Sequence, residues 1–452
     1  MNHSLHPLNA ALLALGISSL ATAALAQTVK PPKAQLWMDV STGGMAGMPE
    51  MDLPAGMGGM LGGLMGGRGG GAGGNSAYGT ARGMNIMPPR VLDIALYNRL
   101  KPGVEAAQAI PPGMRMGDTL PLVPPVAQPV RDVEPTEVPQ EYQRETPRGR
   151  ILIYWGCGNE VRPGQPRVID LARGNPADFG AAFAGRYVPD RGARVGPAHA
   201  LYPNEKNRVS LGRDSSLVGE HQVLGDGVPA SFKFALGAAQ DLMPAIELQS
   251  SGSPRDSMSL NWRPVTNARA YFLHAMGQIG NDDMVMWSSS ETPDTGMGLF
   301  DYLPNATIDR WTREKVLLQP EITQCAIPGG IFAPPQGSAP GGRGEGSGAM
   351  LRMIAYGSES NFAYPPRPAD PKAVWEPDWA VRVRVKSHTM AMLGEESGSR
   401  GGRNARPSGR GAPMEGARQE PPPPPGAESP NSGNPMNPLT NPVNLLKGLF
   451  GR

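Results

Sequence analysis

Residues Trp379–Lys386 read WAVRVRVK. Successive side chains of an extended chain point to opposite faces, so Trp379, Val381, Val383 and Val385 fall on one side and Arg382, Arg384 and Lys386 on the other. The pattern predicts a half-buried β-strand whose cationic row faces water and protects a sheet edge. The same period of two recurs along the chain. Phe232, Phe234 and Leu236 alternate with Ser231, Lys233 and Ala235, and Met258, Leu260 and Trp262 alternate with Ser257, Ser259 and Asn261. Tyr271–Met276, Asp283–Ser288 and Leu351–Tyr356 continue it. Upstream, Ala34–Thr42 (AQLWMDVST) and Val91–Tyr97 (VLDIALY) are strand-like, with Leu92, Ile94 and Leu96 on one face. Arg150–Cys157 (RILIYWGC) is apolar on both faces, as a central strand is, and Arg167–Leu171 is a further short strand. Short strands separated by turn residues predict a mainly β chain with one or two β-sandwich domains.

The 452 residues include 60 glycines and 50 prolines, with the excess gathered in two blocks. Gly43–Gly74 is a Gly/Met tract. Gly394–Asn441 is rich in Arg, Gly and Ser, then in Pro and Asn. Neither block buries enough apolar surface to offset its ordering entropy, and both are expected to be disordered. The rest divides into a β-rich unit at 35–234, interrupted by 43–74, and a β-sandwich at 242–393. Asn175–Arg186 (NPADFGAAFAGR) reads as a short helix in the first unit. Asn175 caps it, Pro176 fits the first turn, and Phe179 and Phe183 share a face. After the tail, 442–452 regains hydrophobicity. There Leu445, Leu446, Leu449 and Phe450 are expected to anchor a short docking helix, in a partner's groove or shallowly at a membrane, against the alternative that the tip folds back onto the chain's own β domain.

At the other end, Leu12–Leu25 is apolar but too short to span a bilayer as a mature helix, and it runs into Ala24-Leu25-Ala26. Residues 1–26 therefore read as a cleaved signal peptide, and the chain is expected in the periplasm or on the surface of a bacterium. In that oxidising setting the two cysteines, Cys157 and Cys325, are expected to pair, although two buried thiols would look the same in sequence. No CxxC motif is present, and His199, His221, His274 and His388 have no metal-ligand spacing.

Chemistry-bearing motifs are sparse. GxSxG, SxxK, a P-loop and GxGxxG after a strand are all absent, so the chain is expected not to be an enzyme, with an envelope hydrolase lacking a recognisable motif as the third reading. Met45, Met48 and Met51 are spaced MxxM, as are Met57 and Met60. Thioethers are soft ligands suited to Cu(I), and the tract resembles those of exported copper-handling proteins, which pair Met with His or Asp. This tract holds no His, so copper handling stands as the alternative reading and no cofactor is expected. Trp287, Trp311, Tyr364 and Trp375 are candidates for stacking on sugar faces, against the ordinary fate of aromatics in a core. A net charge of +2 favours no polyanion. Export sets nucleic acid aside, and Ser399–Arg410 reads as a solvated linker.

One segment carries a family resemblance. The strand SMSLNW ending in Trp262, the loop RPVTNA, Tyr271 opening the next strand, and MVMWSSSE at Met284–Glu291 resemble part of a fibronectin type III or immunoglobulin-like domain. The Leu-x-Pro-x-x-x-Tyr step before the sixth strand is missing, with Asp301-Tyr302-Leu303-Pro304 a loose substitute. The resemblance implies Trp and Tyr packed between facing sheets, and a scaffold or binding module. The leading expectation is an exported, non-enzymatic envelope protein that binds another envelope protein or a glycan.

Overall fold

A computed structural model describes residues 27–48, 75–84, 86–126, 149–171, 185–188, 190–280, 283–333, 349–370 and 372–394. Sixteen strands run through them: β1 (Ala34–Thr42), β2 (Arg90–Asn98), β3 (Ala106–Ala109), β4 (Thr119–Leu122), β5 (Arg150–Trp155), β6 (Arg167–Asp170), β7 (His199–Tyr202), β8 (Gly219–Gly225), β9 (Lys233–Leu236), β10 (Leu248–Gly252), β11 (Met258–Trp262), β12 (Ala270–Ile279), β13 (Asp283–Ser288), β14 (Gln324–Ile327), β15 (Ala349–Tyr364) and β16 (Trp379–Leu393). The expected mainly β class is what forms.

The strands build three sheets. The largest has nine, in the order β6-β5-β13-β12-β15-β16-β1-β2-β7; the others are β10-β11-β14 and β4-β3-β8-β9. Two pairs of the large sheet, β1 with β16 and β5 with β13, are parallel. The boundary expected between 35–234 and 242–393 does not separate these strands. β1, β2, β5, β6 and β7 come from one side of it and β12, β13, β15 and β16 from the other, and all lie in one sheet. Linear reading misses this because β1 finds its partner near the far end of the described chain.

One face of the large sheet is apolar. Leu36, Met38 and Val40 lie in register with Val381, Val383 and Val385. Tyr271, Leu273 and Ala275 lie opposite Ala355, Met353 and Leu351. The two smaller sheets close over this face and add Leu260, Trp262, Ile327, Leu122, Val223 and Phe234 to the same core. Each such side chain, fully buried, contributes about 1.5–3 kcal/mol. Trp262 and Tyr271 meet edge to face between the layers, with ring centroids 5.6 Å apart. Cys157, just after β5, is bonded to Cys325 of β14, with Cα atoms 5.1 Å apart. The bond ties the large sheet to the three-stranded sheet across a separation of 168 residues.

The opposite face carries a helix, Asn305–Arg313, which buries Ile308 and Trp311. Its start is fixed to an irregularity in β15, where the register with β16 shifts between Tyr356 and Glu359. Asn305 donates to the Glu359 carbonyl and accepts from the Glu359 N–H, both at 2.9 Å, so the backbone groups freed by the bulge find partners.

Several expectations fall outside the described residues: the signal at 1–26, Met51, Met57 and Met60 of the Gly/Met tract, most of the helix at 175–186, the tail 394–441 beyond its first residue, and Leu445, Leu446, Leu449 and Phe450.

Candidate functional site

The cationic row of β16 is not at an edge, and beyond the half-buried Arg382 it does not face water. β16 lies between β15 and β1, and Arg384 and Lys386 are only 3% and 1% exposed. Segments around residues 77–83, 190–193 and 294–303 cover that face and bring acids and carbonyls to meet the cations. The correction has a simple cause. Alternation tells which side a residue takes, but not what lies over that side.

The centre of this face is an ion network. Arg384 donates from Nε and Nη2 to both oxygens of Asp39, at 2.6 and 2.5 Å. Arg82 pairs with Asp190 and approaches Asp39 at 3.9 Å, and Asp190 lies 3.6 Å from Arg384. Burial works to lower the Arg384 guanidinium, and Asp39 overrides it and holds it raised. Lys386 Nζ donates to the carbonyls of Arg82, Gly83 and Phe300 at 3.2–3.3 Å and lies 3.8 Å from Asp301. Burial still brings that ammonium down to about 8. Tyr302 offers its ring to both cations, 4.5 Å from Arg384 and 4.6 Å from Lys386. Gly192 lies close against the network, where a Cβ would press on the guanidinium ends of Arg82 and Arg384.

Asp93 sits opposite Asp39 on β2. Its Oδ2 accepts from the N–H groups of Gly79 and Ala81, at 2.9 and 2.7 Å. Burial pushes its carboxyl up to about 8, against the pull of the Ala81 hydrogen bond. Further along the face, Glu359 takes Arg191 at 3.0 Å and Arg382 at 3.7 Å. Arg352 stacks 3.9 Å over Phe300 with Nη2 3.3 Å from His274 Nδ1. Burial lowers Arg352 to about 10 and holds His274 well below its ordinary value. Sequence reading missed Asp39 and Asp93. Their signal was present: each is a lone acid at the outward position of an apolar strand, complementary to the row on β16.

These groups face one another beneath covering chain, an arrangement that fixes loops onto a sheet. A partly exposed aromatic surface lies at the other end of β15. Phe232, Trp379 and Tyr364 form a stack, the first pair 5.0 Å apart and 6° from parallel, the second 6.1 Å and 16°. Phe232 and Trp379 are buried and Tyr364 is 47% exposed, so the stack runs from the core to the surface. Trp375 is half-buried beside it, and its indole donates to the Pro365 carbonyl at 3.0 Å. Arg367 lies 5.8 Å from the Trp375 ring centre and donates to Gln27 at 2.5 Å. Lys30 and Arg99 hold Glu376 at 3.0 and 3.2 Å. The corner thus presents fixed aromatic surface, the exposed Val29 and Val374, and a rim of polar groups. Of the four aromatic candidates, Trp287 and Trp311 are core and Tyr364 and Trp375 are at the surface.

Met45 is half-buried and bridges to Met390 of β16, while Met48 is 63% exposed. Among the described residues no three His, Cys, Asp or Glu side chains are grouped to hold a metal ion, and no helix is long and apolar enough to cross a membrane.

No family model matches the chain, and no curated protein matches it. Among solved structures, a β-1,2-glucanase from Parabacteroides distasonis is similar at 11% identity over 80% of this chain and 38% of that chain, with a TM-score of 0.13. The chain spans well under half the length of that protein, and the likeness carries no argument about fold or activity.

Proposed function

We propose that this chain is an exported, non-enzymatic protein of a bacterial cell envelope that binds a glycan at the Tyr364–Trp375 corner. The observation that carries the reading is the stack from Phe232 through Trp379 to Tyr364. A surface tyrosine stacked on a buried indole, itself backed by Phe232, is restricted before any ligand arrives, so a ligand that stacks on it meets a reduced ordering cost. The apolar C–H face of a pyranose ring suits such a surface, and the rim of Gln27, Arg367 and Glu376 suits its hydroxyls. The Cys157–Cys325 bond supports export, because disulfides persist in oxidising compartments. The mutual engagement of Asp39, Arg384, Arg82 and Asp190 supports a structural role for the charged face over an acid–base one.

The test uses soluble peptidoglycan fragments and neutral β-glucan oligosaccharides as probes, followed by tryptophan fluorescence and calorimetry. The expected result is saturable binding of one class that weakens at least tenfold in Tyr364→Ala, with an unchanged melting temperature. Equal binding by the variant, or no binding of either class, overturns the glycan reading; capture of an envelope protein at this corner would replace it. New reducing ends after prolonged incubation would overturn the non-enzymatic one.

A further inference from the structure

The charged face changes character along its length, and the change is written in the register. Met286 of β13 lies opposite Met276 of β12, Met276 opposite Met350 of β15, and Met350 opposite Met392 of β16. Four methionines therefore stand in one line across four adjacent strands. Two residues along β16, Met390 faces the same way, and Met45 bridges to it from the far side, held by Ala46 N–H to Met390 O at 2.7 Å and Met390 N–H to Gly44 O at 3.1 Å. Directly opposed side chains in an antiparallel pair have Cβ atoms about 4.5–5.5 Å apart. The methionine side chain is unbranched, and rotation about its first two bonds swings the sulfur, so the sulfurs of neighbours in the line can converge on a common centre.

Packing accounts for only part of the line. Met286 is buried and Met276 half-buried against Ile151, Ile153 and Ile169. Met350 is half-buried and Met392 is 51% exposed, and among the described residues neither joins a packed apolar cluster. The line thus runs from the core to solvent, with a thioether at each step.

We propose that Met276, Met350 and Met392, with Met390 beside them, form a binding site for a soft monovalent cation, Cu(I). Thioether sulfur is a soft donor that selects Cu(I) over hard or borderline ions. Both cysteines are bonded to each other, so thioethers are the soft anchors this face offers. Charge bears on selectivity, at some cost to every cation. Arg352 lies in the adjacent row, opposite Met390 and His274. Its fixed positive charge opposes a divalent ion with twice the Coulomb energy it opposes a monovalent one, so Zn(II) and Cu(II) are disfavoured further. The sheet also supplies what a glycine-rich tract lacks. Strand pairing has already fixed the backbone, so binding orders only the methionine side chains. The inference is independent of the glycan reading and of its corner, which lies at the other end of β15 and β16.

The full disulfide-bonded chain is titrated with Cu(I) under anaerobic ascorbate against a chromophoric chelator, with Ag(I) as a redox-inert second probe. Three forms are compared: wild type, Met276→Leu/Met350→Leu/Met392→Leu, and Met51→Leu/Met57→Leu/Met60→Leu. Leucine conserves volume and is well tolerated in place of Met. The exposed single variant Met392→Leu, which touches no core, accompanies the triple. The expected result is one Cu(I) per chain in wild type, at least tenfold weaker binding in the sheet triple, a smaller loss in Met392→Leu, and no change in the tract variant. Undiminished binding in the sheet triple, loss confined to the tract variant, or no binding by wild type overturns the proposal.

Discussion

The two faces of the nine-stranded sheet are built from the same strands and are equally buried near β16, yet they are held by different forces. On one face Val381, Val383 and Val385 meet Leu36, Met38 and Val40 and two further sheets. On the other, Arg384 and Lys386 meet Asp39, Asp190, Asp301 and the ring of Tyr302. Apolar packing is non-directional and tolerates substitution of similar volume. An ion network demands every partner, because removing one leaves the other uncompensated. The first face is therefore expected to respond to lost volume and the second to lost partners.

The sharpest way to break the comparison is at Asp39. Asp39→Ala strands Arg384 among buried groups and is expected to cost about 3–5 kcal/mol in urea unfolding. Converting both partners, Asp39→Val with Arg384→Met, is expected to recover most of that loss. Leu36→Ala on the other face costs about 2–5 kcal/mol, and no substitution of its neighbour restores it unless the volume returns. If the Asp39/Arg384 double variant is no better than Asp39→Ala alone, the distinction between the faces fails.

Cutting the link between layers is the next effect in size. Cys157→Ala/Cys325→Ala releases a loop of 168 residues and is expected to destabilise by about 3–5 kcal/mol where the native geometry is unstrained, read as a lower midpoint without change of fold. The loss belongs to the apolar side, since the bond joins the large sheet to the sheet that covers it.

The charged face has a pH signature that the apolar face lacks. Asp93 is raised to about 8 in the folded chain, from an ordinary value near 3.8. Its stabilising contribution is complete below the lower value and is lost as pH climbs to the upper one, because the unfolded chain ionises first. The slope is at most about 1.4 kcal/mol per pH unit. Asp93→Asn is expected to flatten that fall between pH 4 and 8. Lys386, lowered from 10.5 to about 8, acts in a separate window, where stability increases as pH rises from 8 to 10.5. Parallel unfolding curves for wild type and Asp93→Asn from pH 5 to 8 would remove Asp93 from the account. The smallest effect on stability is expected at Tyr364→Ala, within about 0.5 kcal/mol, since the change lies at the exposed end of its stack.

How much of this was legible follows from the same contrast. The apolar face could be read directly: a period of two in WAVRVRVK, VLDIALY and SMSLNW names the inward residues, and they are buried. The other face could not, because its cover comes from irregular segments whose positions no periodicity records. Arg384 on paper is indistinguishable from an edge cation. Pairing was equally hidden. Nothing local says that Ala34–Thr42 lies against Trp379–Ser387, and so the expected division into two units failed. Tyr364 and Trp375 were named with Trp287 and Trp311, but exposure, which separates them, is a property of the assembled sheet. The methionine line is legible only in register, since its members come from four separate strands.

The parallel pairing of β1 with β16 also governs how this chain comes together. Asp39 and Arg384 are register partners 345 residues apart, so the central seam of the sheet is among the most non-local contacts the chain makes. The entropy of closing such a loop must be met before the pairing returns any stability, which places the fold among those of high contact order and slow formation. A nascent chain acquires β1 and β2 early and then waits, with one side of β1 bare, for almost all the remaining strands to be made. That waiting edge is apolar on one face and is the segment most exposed to pairing with a neighbouring molecule. A chain ending before Trp379 would keep its first hairpin and lose its seam, and would be expected to aggregate rather than settle into a smaller fold.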